Sequence, residues 1–330
     1  MKTLICIPCL NEEAHLETLV RKLVENNESL EAHIVIADGG SADRTVTIAK
    51  ELDEEFENVT YLHNPARIQS AAINLTVKEY GQNADILIRI DAHSDYPDDY
   101  CAVLIEEAEK TGADSIVTAV ETIGKTLFQC AVAAAQNSKL GNGGSAHRTA
   151  DGQGMWIDHG HHGLMRIQAF SDVGGYDETF THNEDAELDT RLRAAGYKIW
   201  LTGKTSPTYY PRSTPGGLFR QYFNYGRGRA RTILKHRERP HMRQMIPVGV
   251  APAVLLFLLP IAQPLASFPF LLWSGTCLAY GGYLAYKAKD LDIAWSGPAA
   301  MIMHFAWSLG FWRALFDYGL AEIKKRKSNE

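Results

Sequence analysis

Two short acidic clusters hold the residues of this sequence best suited to chemistry. The first is Asp91-Ala-His93, where a carboxylate and an imidazole stand two residues apart as a β-branched run gives way to a polar loop. On a strand, positions i and i+2 share a face, so both groups can reach one cation. An Asp with a His suits Mg²⁺ or Mn²⁺ held jointly with a diphosphate, whose oxygens complete the shell. The other reading is an Asp that caps the helix opening near Pro97, and Asp95 is a substitute ligand. The second cluster is Glu184-Asp185, just ahead of an amphipathic pattern with Leu188 and Leu192 on one face and Gly196 as its stop. A helix N-terminus favours an ionised carboxylate, the form a general base needs at neutral pH; simple capping is the alternative. Between the clusters lies Asp158-His-Gly-His-His-Gly163. Its His161 and His162 are candidates either as metal ligands or as the lining of an acceptor cleft.

The elements that must position these residues alternate along the first 120 positions. β-Branched runs at Thr3–Ile7, His33–Ala37, Val59–Leu62, Asp85–Ile90 and Ser115–Val120 predict strands. Helical patterns fall between them at about Glu13–Asn26, Ala42–Phe56, Ile68–Tyr80 and Pro97–Thr111, with Ser41 placed as an N-cap. Strands separated by such helices give an α/β fold with a mostly parallel sheet, and its ligands bind at the carboxyl ends of the strands. The segments at those ends are Pro8–Glu13, Asp38–Thr45, Asn64–Arg67 and Asp91–Tyr96. Each alone reads as a capped turn; their joint placement predicts a pocket. Neither a G-x-G-x-x-G nor a G-x-x-x-x-G-K-[ST] loop follows the first strand, and Glu12 and Glu13 would repel a pyrophosphate there. That argues against a dinucleotide-dependent oxidoreductase and a P-loop NTPase. A bound nucleotide would need its phosphates neutralised elsewhere, and a metal is the natural device.

Composition adds a second region. The formal net charge of −6 conceals a split: residues 1–211 hold 17 Lys/Arg against 33 Asp/Glu, and residues 212–330 hold 16 against 6. Residues 212–243 interleave nine basic residues with aromatics, which could suit nucleic acid. Yet residues 244–286 follow with no Asp, Glu, Lys or Arg, so anionic lipid is the better partner and no nucleic acid is expected. Forty-three residues make about 64 Å of helix, twice a ~30 Å hydrocarbon core. Two crossings with a turn near Gln263–Pro269 are expected, and an even number of crossings keeps Lys324–Lys327 inside. The predicted organisation is a catalytic domain at 1–211, a basic amphipathic interfacial segment at 212–243, membrane helices at 244–320 and a basic cytosolic tail at 321–330. Five cysteines suit a reducing compartment. Cys6 and Cys9 read as strand residues on opposite faces rather than as a redox pair. The apolar run after Lys2 is too short for a secretory signal, so the catalytic domain is expected in the cytosol.

These elements together resemble a family 2 glycosyltransferase of GT-A fold, and within it the bacterial membrane-bound glucosyltransferases of succinoglycan-type exopolysaccharide synthesis. The resemblance rests on Pro8–Glu13, Asp38–Thr45, Asn64–Arg67 with Ala72 and Asn74, Arg89–Tyr100, Gly174–Gly196 and Arg220–Arg229. It implies that Pro8, Asn11, Glu12, Asp38, Arg67 and Asp91 bind the donor, that Asp91 and His93 hold the metal, and that Asp185 is the catalytic base. It further implies that Gln221 and Arg227 lie near an acceptor diphosphate; Glu184, His161 and His162 are further acceptor candidates on the clusters' own reading. Gly39 and His93 depart from the family's commoner pattern, each standing where an Asp is usual. Gly141–Arg148 reads as a loop able to close over the donor.

The implied activity is inverting transfer of a hexose from a UDP-sugar to a polyprenyl-diphosphate-linked saccharide, at the bacterial inner membrane. Three rivals fit less well. A sugar nucleotidyltransferase would want a Gly-rich basic loop after strand one, and a processive synthase a Gln-x-x-Arg-Trp motif. A non-catalytic scaffold would have no reason to keep Asp38, Asp91 and Asp185.

Overall fold

The computed structural model describes the chain except for residues 29, 144–152, 238–241, 260–264 and 329–330. The chain forms two compact units, one from residues 1–121 and 149–208, the other from 122–148 and 209–330.

The first unit is built on an eight-stranded sheet. Its strands are β1 (Thr3–Cys9), β2 (Ala32–Asp38), β3 (Val59–His63), β4 (Ile86–Arg89), β5 (Ser115–Thr118), β7 (Met155–Trp156), β8 (His161–Arg166) and β9 (Ile199–Thr202). Two two-residue strands, β6 (Glu121–Thr122) and β10 (Thr208–Tyr209), pair with each other apart from it. The order β3-β2-β1-β4-β8-β5-β9-β7 is parallel through its first four strands and again between β5 and β9, as the alternating pattern predicts. Strand β1 sits between β2 and β4, so the chain winds outward from it in both directions. That switch point opens a crevice at the carboxyl edge.

Both faces of the central strands β1, β2 and β4 are covered, which is why these strands are apolar on both sides. Helices α1 (Leu16–Asn26), α2 (Thr45–Glu55) and α4 (Tyr100–Thr111) bury Leu16, Val20, Leu52 and Leu104 on one face against Ile5 and Ile7. Helices α3 (Gln69–Tyr80), α7 (Ile167–Asp172) and α8 (Glu184–Ala194) bury Ile73, Phe170, Leu188 and Leu192 on the other, against Leu4 and Cys6. Cys6 and Cys9 thus belong to opposite faces, and burial pushes the Cys6 thiol up to about 12.

Two local expectations are corrected. Ser41 is not the cap of α2: Asp43 instead accepts from the Thr45 amide, and Ser41 turns to Asp38. Asp158–Gly163, one reading of which lines an acceptor cleft, becomes strand from His161 onward: these residues start β8, which runs antiparallel to both β4 and β5. Reversal of this one strand carries its first residues, His161 and His162, to the carboxyl edge of β4 and β5.

The second unit is helical: α5 (Leu127–Gln136), α6 (Lys139–Asn142), α9 (Pro215–His236), α10 (Met242–Val248), α11 (Val250–Leu258), α12 (Phe268–Ala288) and α13 (Ser296–Ser328). Thr126 and Thr214 cap α5 and α9, and Pro215 opens α9 where its missing N–H costs nothing. Val132 and Ala135 of α5 pack with Leu218 of α9 and Ala300 and Met303 of α13. Helices α9 and α13 cross backbone to backbone. A Cβ on Gly226 would lie 1.9 Å from the Trp307 carbonyl, and one on Gly310 as close to that of Phe223.

The expected crossings are not found: among the described residues no helix is long and apolar enough to span a membrane. The uncharged run breaks at Gly249 and Leu259 into pieces, of which α11 has nine residues, about 14 Å of helix. Helix α12, with 21 residues, has the length but carries Ser274, Gly275, Thr276 and two Tyr-Gly or Gly-Tyr steps near its middle. Residues 263 and 264 of the expected turn, residues 144–148 of the expected donor loop, and the side chains of Lys324–Lys327 lie outside what is described.

Candidate active site

The loops after β1 and β2 hold each other. Asn11 takes a left-handed φ of 58°, which turns the chain sharply out of β1. Its amide donates to the Ser41 hydroxyl, and its side-chain oxygen accepts from the Ala42 amide at 2.8 Å. Asp38 is fully buried, its carboxylate accepting from the Gly40 and Ser41 amides and from the Ser41 hydroxyl. The structure therefore gives Asp38 the role of bracing the loop. Asn11, Gly40 and Ser41 form the rim. Pro8 pairs with Ala37 at the end of β1. Arg67, also left-handed at φ 61°, brings its guanidinium over Gly40.

Strand β4 stops at Arg89, so Asp91 and His93 stand on a turn and not on one strand face. Asp91 turns inward: Oδ1 accepts from Arg89 Nε at 3.1 Å and from Gln69 Nε2 at 2.8 Å, and its amide donates to the Tyr96 hydroxyl. Burial alone would raise this carboxyl, but the charges of Arg89 and then His161 outweigh it and bring it down to about 2. His93 turns outward, 55% exposed, with Nδ1 3.0 Å from Glu12 Oε1. Among the described residues, no group of three or more His, Cys, Asp or Glu is gathered to hold a metal. Two donors do face each other: Asp91 Oδ2 and His161 Nε2, 3.8 Å apart. Burial keeps His161 toward its neutral, ligating form. An ion taking this pair would need its remaining ligands from the diphosphate.

Asp185 opens α8 with Oδ1 held by Arg89 Nη1 at 2.8 Å and by the Tyr176 hydroxyl at 2.9 Å. Against the effect of burial, the charges of Arg89, His162 and His161 hold it below the usual carboxylate range. It is thus ionised, and Oδ2 lies outside those two bonds, 3.8 Å from His161 Nδ1. Glu184 behaves oppositely: burial and the neighbouring Asp185 charge raise it to about 7. Glu184 also lines a cavity of about 210 Å³ with Arg67, Gln69 and Phe180. Asp91, Asp185 and His161, from three separate stretches of chain, therefore meet around one buried guanidinium.

His162 lies elsewhere from where the sequence suggests. It is fully buried behind Asp185, its ring bonded to Tyr176 and Asp189, and cannot line an open cleft. Arg89, Gln69, Tyr176 and Asp189 carry the site's geometry, and sequence reasoning gave none of them a role. For Arg89 there was a signal: a cation ending an apolar run of Ile-Leu-Ile is expensive to bury unless carboxylates await it. Gln221 and Arg227 lie on α9 in the helical unit. Gln221 is buried, donating to the hydroxyls of Tyr209 and Tyr225, and Arg227 is exposed.

Comparison with known proteins bears on the family and the fold. Succinoglycan biosynthesis protein ExoA of Rhizobium meliloti (strain 1021) is 56% identical over 316 residues, 96% of each chain. A glucuronosyltransferase of Methanococcus voltae that acts on a dolichyl N-acetyl-glucosaminyl phosphate is 25% identical over 249 residues, covering 70% of this chain and 74% of that one. Among solved structures, a mannosyltransferase of Pyrobaculum calidifontis in complex with GDP-mannose and Mn²⁺ matches with a TM-score of 0.60 at 16% identity, over 96% of this chain and 87% of that one. The fold is therefore that of GT-A enzymes. The model of the family described as glycosyl transferase family 2 matches residues 4–174, just over half the chain. By that match, and by a relative more than half identical from end to end, this chain belongs to glycosyl transferase family 2 and is a sugar-transferring enzyme.

Proposed function

We propose that the protein is an inverting hexosyltransferase. It moves glucose or a similar hexose from a UDP-sugar onto a polyprenyl-diphosphate-linked saccharide in exopolysaccharide synthesis. The observation that carries this reading is the convergence of Asp91 and Asp185 on Arg89, with Asp185 Oδ2 outside that pairing, 3.8 Å from His161 Nδ1. In the reaction Oδ2 takes the proton of an acceptor hydroxyl while that oxygen bonds to the anomeric carbon. The bond from that carbon to the diphosphate breaks as the new one forms, so the configuration inverts. Pro8, Asn11, Glu12 and the Asp38–Ser41 loop hold the nucleoside, and Arg67 neutralises phosphate. Asp91 and His161, with His93 if it leaves Glu12, would hold Mg²⁺ or Mn²⁺, which supplies positive charge against the departing diphosphate. The sequence kinship with ExoA supports the pathway, and the kinship with the dolichyl-phosphate-dependent enzyme supports a lipid-linked acceptor. Arg227, exposed on α9, is assigned to that acceptor's diphosphate; Gln221, buried with both amide hydrogens given to Tyr209 and Tyr225, is a brace for that helix rather than a ligand.

The test is a panel of nucleotide sugars with Mg²⁺ or Mn²⁺, scored for nucleoside diphosphate release with native membranes as acceptor source. UDP-hexose should stand out and chelator should stop it. Release that is indifferent to the sugar nucleotide, or full turnover in excess chelator, would overturn the reading.

The helical unit is assigned to the cytosolic face of the inner membrane, lying on the lipid. Helix α12 buries a stripe including Ser274, Cys277, Gly281 and Ala285, and its outward residues from Phe268 to Tyr286 include no charged side chain. Helix α11 exposes Leu255, Leu256 and Leu258, and the stacking of Phe257 on Phe270 joins the two surfaces. A helix face in water carries charge; a broad apolar one marks a docking surface. The 16 basic against 6 acidic residues of 212–330 favour anionic lipid and disfavour a second copy. Purified protein should float with vesicles containing anionic lipid, less so in high salt, and Leu271→Glu with Leu272→Glu should abolish flotation. Equal flotation of wild type and variant would remove the assignment.

A further inference from the structure

Behind Asp185 runs a buried chain of hydrogen bonds that joins three elements. Asp189 Oδ1, one turn along α8, lies 2.7 Å from His162 Nε2 on β8. His162 Nδ1 lies 2.8 Å from the Tyr176 hydroxyl, which donates to Asp185 Oδ1 at 2.9 Å. Asp189 is anchored in turn, its Oδ2 accepting from the Gly160 amide at 3.2 Å. Tyr176 is gripped through its backbone: its amide donates to Asn74 Oδ1 at 2.8 Å, and Asn74 Nδ2 donates to its carbonyl at 2.9 Å. His162, Tyr176 and Asp189 are all 2% exposed or less.

Proton positions follow from counting donors. Because the Tyr176 hydroxyl gives its only proton to Asp185, it must accept from His162, so Nδ1 carries hydrogen. The facing Asp189 shares one proton with Nε2, whichever of the two holds it, and in both cases Nδ1–H is kept. Asp189 therefore fixes which ring nitrogen donates, the role a carboxylate plays behind a catalytic histidine. Here the imidazole does not face the reacting atoms. It locks the hydroxyl of Tyr176.

We propose that Asp189, His162 and Tyr176 form an orienting relay that pins Asp185 Oδ1 and so makes Oδ2 the single proton-accepting oxygen of the enzyme. The proposal rests on Asp185 being the base. With Arg89 and Tyr176 on Oδ1, the carboxylate cannot rotate by half a turn without breaking two charge-assisted bonds, and its free oxygen keeps one direction. Tyr176, His162 and Asp189 are positioning residues. None of them touches substrate.

Two replacements of His162 separate orientation from bracing. His162→Asn places an amide N–H where Nδ1–H stands and keeps the donor to Tyr176, but gives up Asp189. His162→Gln places its amide near Nε2, keeping Asp189 and giving up Tyr176. The relay predicts that His162→Gln lowers kcat about tenfold or more with the donor KM unchanged, that Tyr176→Phe does the same, and that their combination is no worse than either alone. His162→Asn should stay within about threefold of wild type. Equal kcat for the Asn and Gln variants, a better enzyme from Gln, or full kcat from Tyr176→Phe would each overturn the relay. Asp185→Asn in the same assay tests the underlying reading separately. If that variant turns over at the wild-type rate, the base assignment fails, whatever the histidine variants do.

Discussion

The two compact units invert each other's use of charge. The sheet unit draws charge inward: Arg89, His162, Glu187 and Asp189 are each 5% exposed or less, and each has a partner of opposite sign or a hydrogen-bonded chain to share it. The helical unit keeps small neutral residues inside, with Ala230, Ala300, Ala306 and Ser308 fully buried, and turns leucines and aromatics outward. A single composition figure averages these into an ordinary protein. The contrast teaches that one chain can divide its charged and its apolar side chains between two units. A buried ion network is what a site needs to fix carboxylates, and a neutral, outward apolar face is what a lipid surface needs to receive a helix.

The largest expected effect lies in the network. Asp185→Asn should lower kcat about a thousandfold while calorimetry still shows the donor bound; near-normal turnover would place the base elsewhere. Next is Arg89→Met, which leaves two part-buried carboxylates, Asp91 and Asp185, without the cation between them. Denaturant unfolding should show a loss of about 3–5 kcal/mol, whereas Arg313→Met, at the exposed pair with Asp317 in the helical unit, should change stability by less than ~1 kcal/mol. Similar losses from the two would erase the contrast between the units. Third, Gly226→Ala forces a methyl group onto the Trp307 carbonyl and should cost about 3 kcal/mol in thermal melting, without shifting donor affinity.

The smallest effect is a pH dependence. The Glu184 carboxyl is raised in the folded protein, from 4.5 to about 7, so the folded state holds its proton more tightly than the unfolded one. That contribution is fully present below pH ~4.5 and is lost as pH rises toward 7. Glu184→Gln should therefore be more stable than wild type by ~2 kcal/mol at pH 8 and no different at pH 4, measured in chelator. An unchanged difference across that range would show Glu184 to be solvated.

Much of the sheet was legible because buried parallel strands leave a strong apolar signal: β1 to β5 begin within a residue of where the β-branched runs do. The polar segments after the strands were also legible, since loop chemistry at a carboxyl edge is local. What was hidden depended on distant partners. Ser41 looks like a cap by its neighbours, but Asp38 and Asn11 claim it. The strand β8 opens with two histidines and a glycine, so its polar start masks it until β4 and β5 are in place beside it. Arg89 stood in plain view as a charge closing an apolar run, yet nothing local says that Asp185 will reach it. His162 shows the limit most clearly, because identical neighbours at 161 and 162 point in opposite directions once the backbone is extended. The division of the 244–286 run among helices of 7, 9 and 21 residues had no local signal beyond its prolines and glycines.

Helix α5 is made early and completed late. Its partners Leu218, Ala300 and Met303 leave the ribosome some 80 to 170 residues after Val132 and Ala135 do. During synthesis this short helix must wait, its sticky side uncovered, while the rest of the sheet closes. A chain cut after Thr208 would be stranded permanently in that condition. Removing the tail to obtain a soluble fragment should therefore yield an aggregating one, unless residues 122–148 are excised with it.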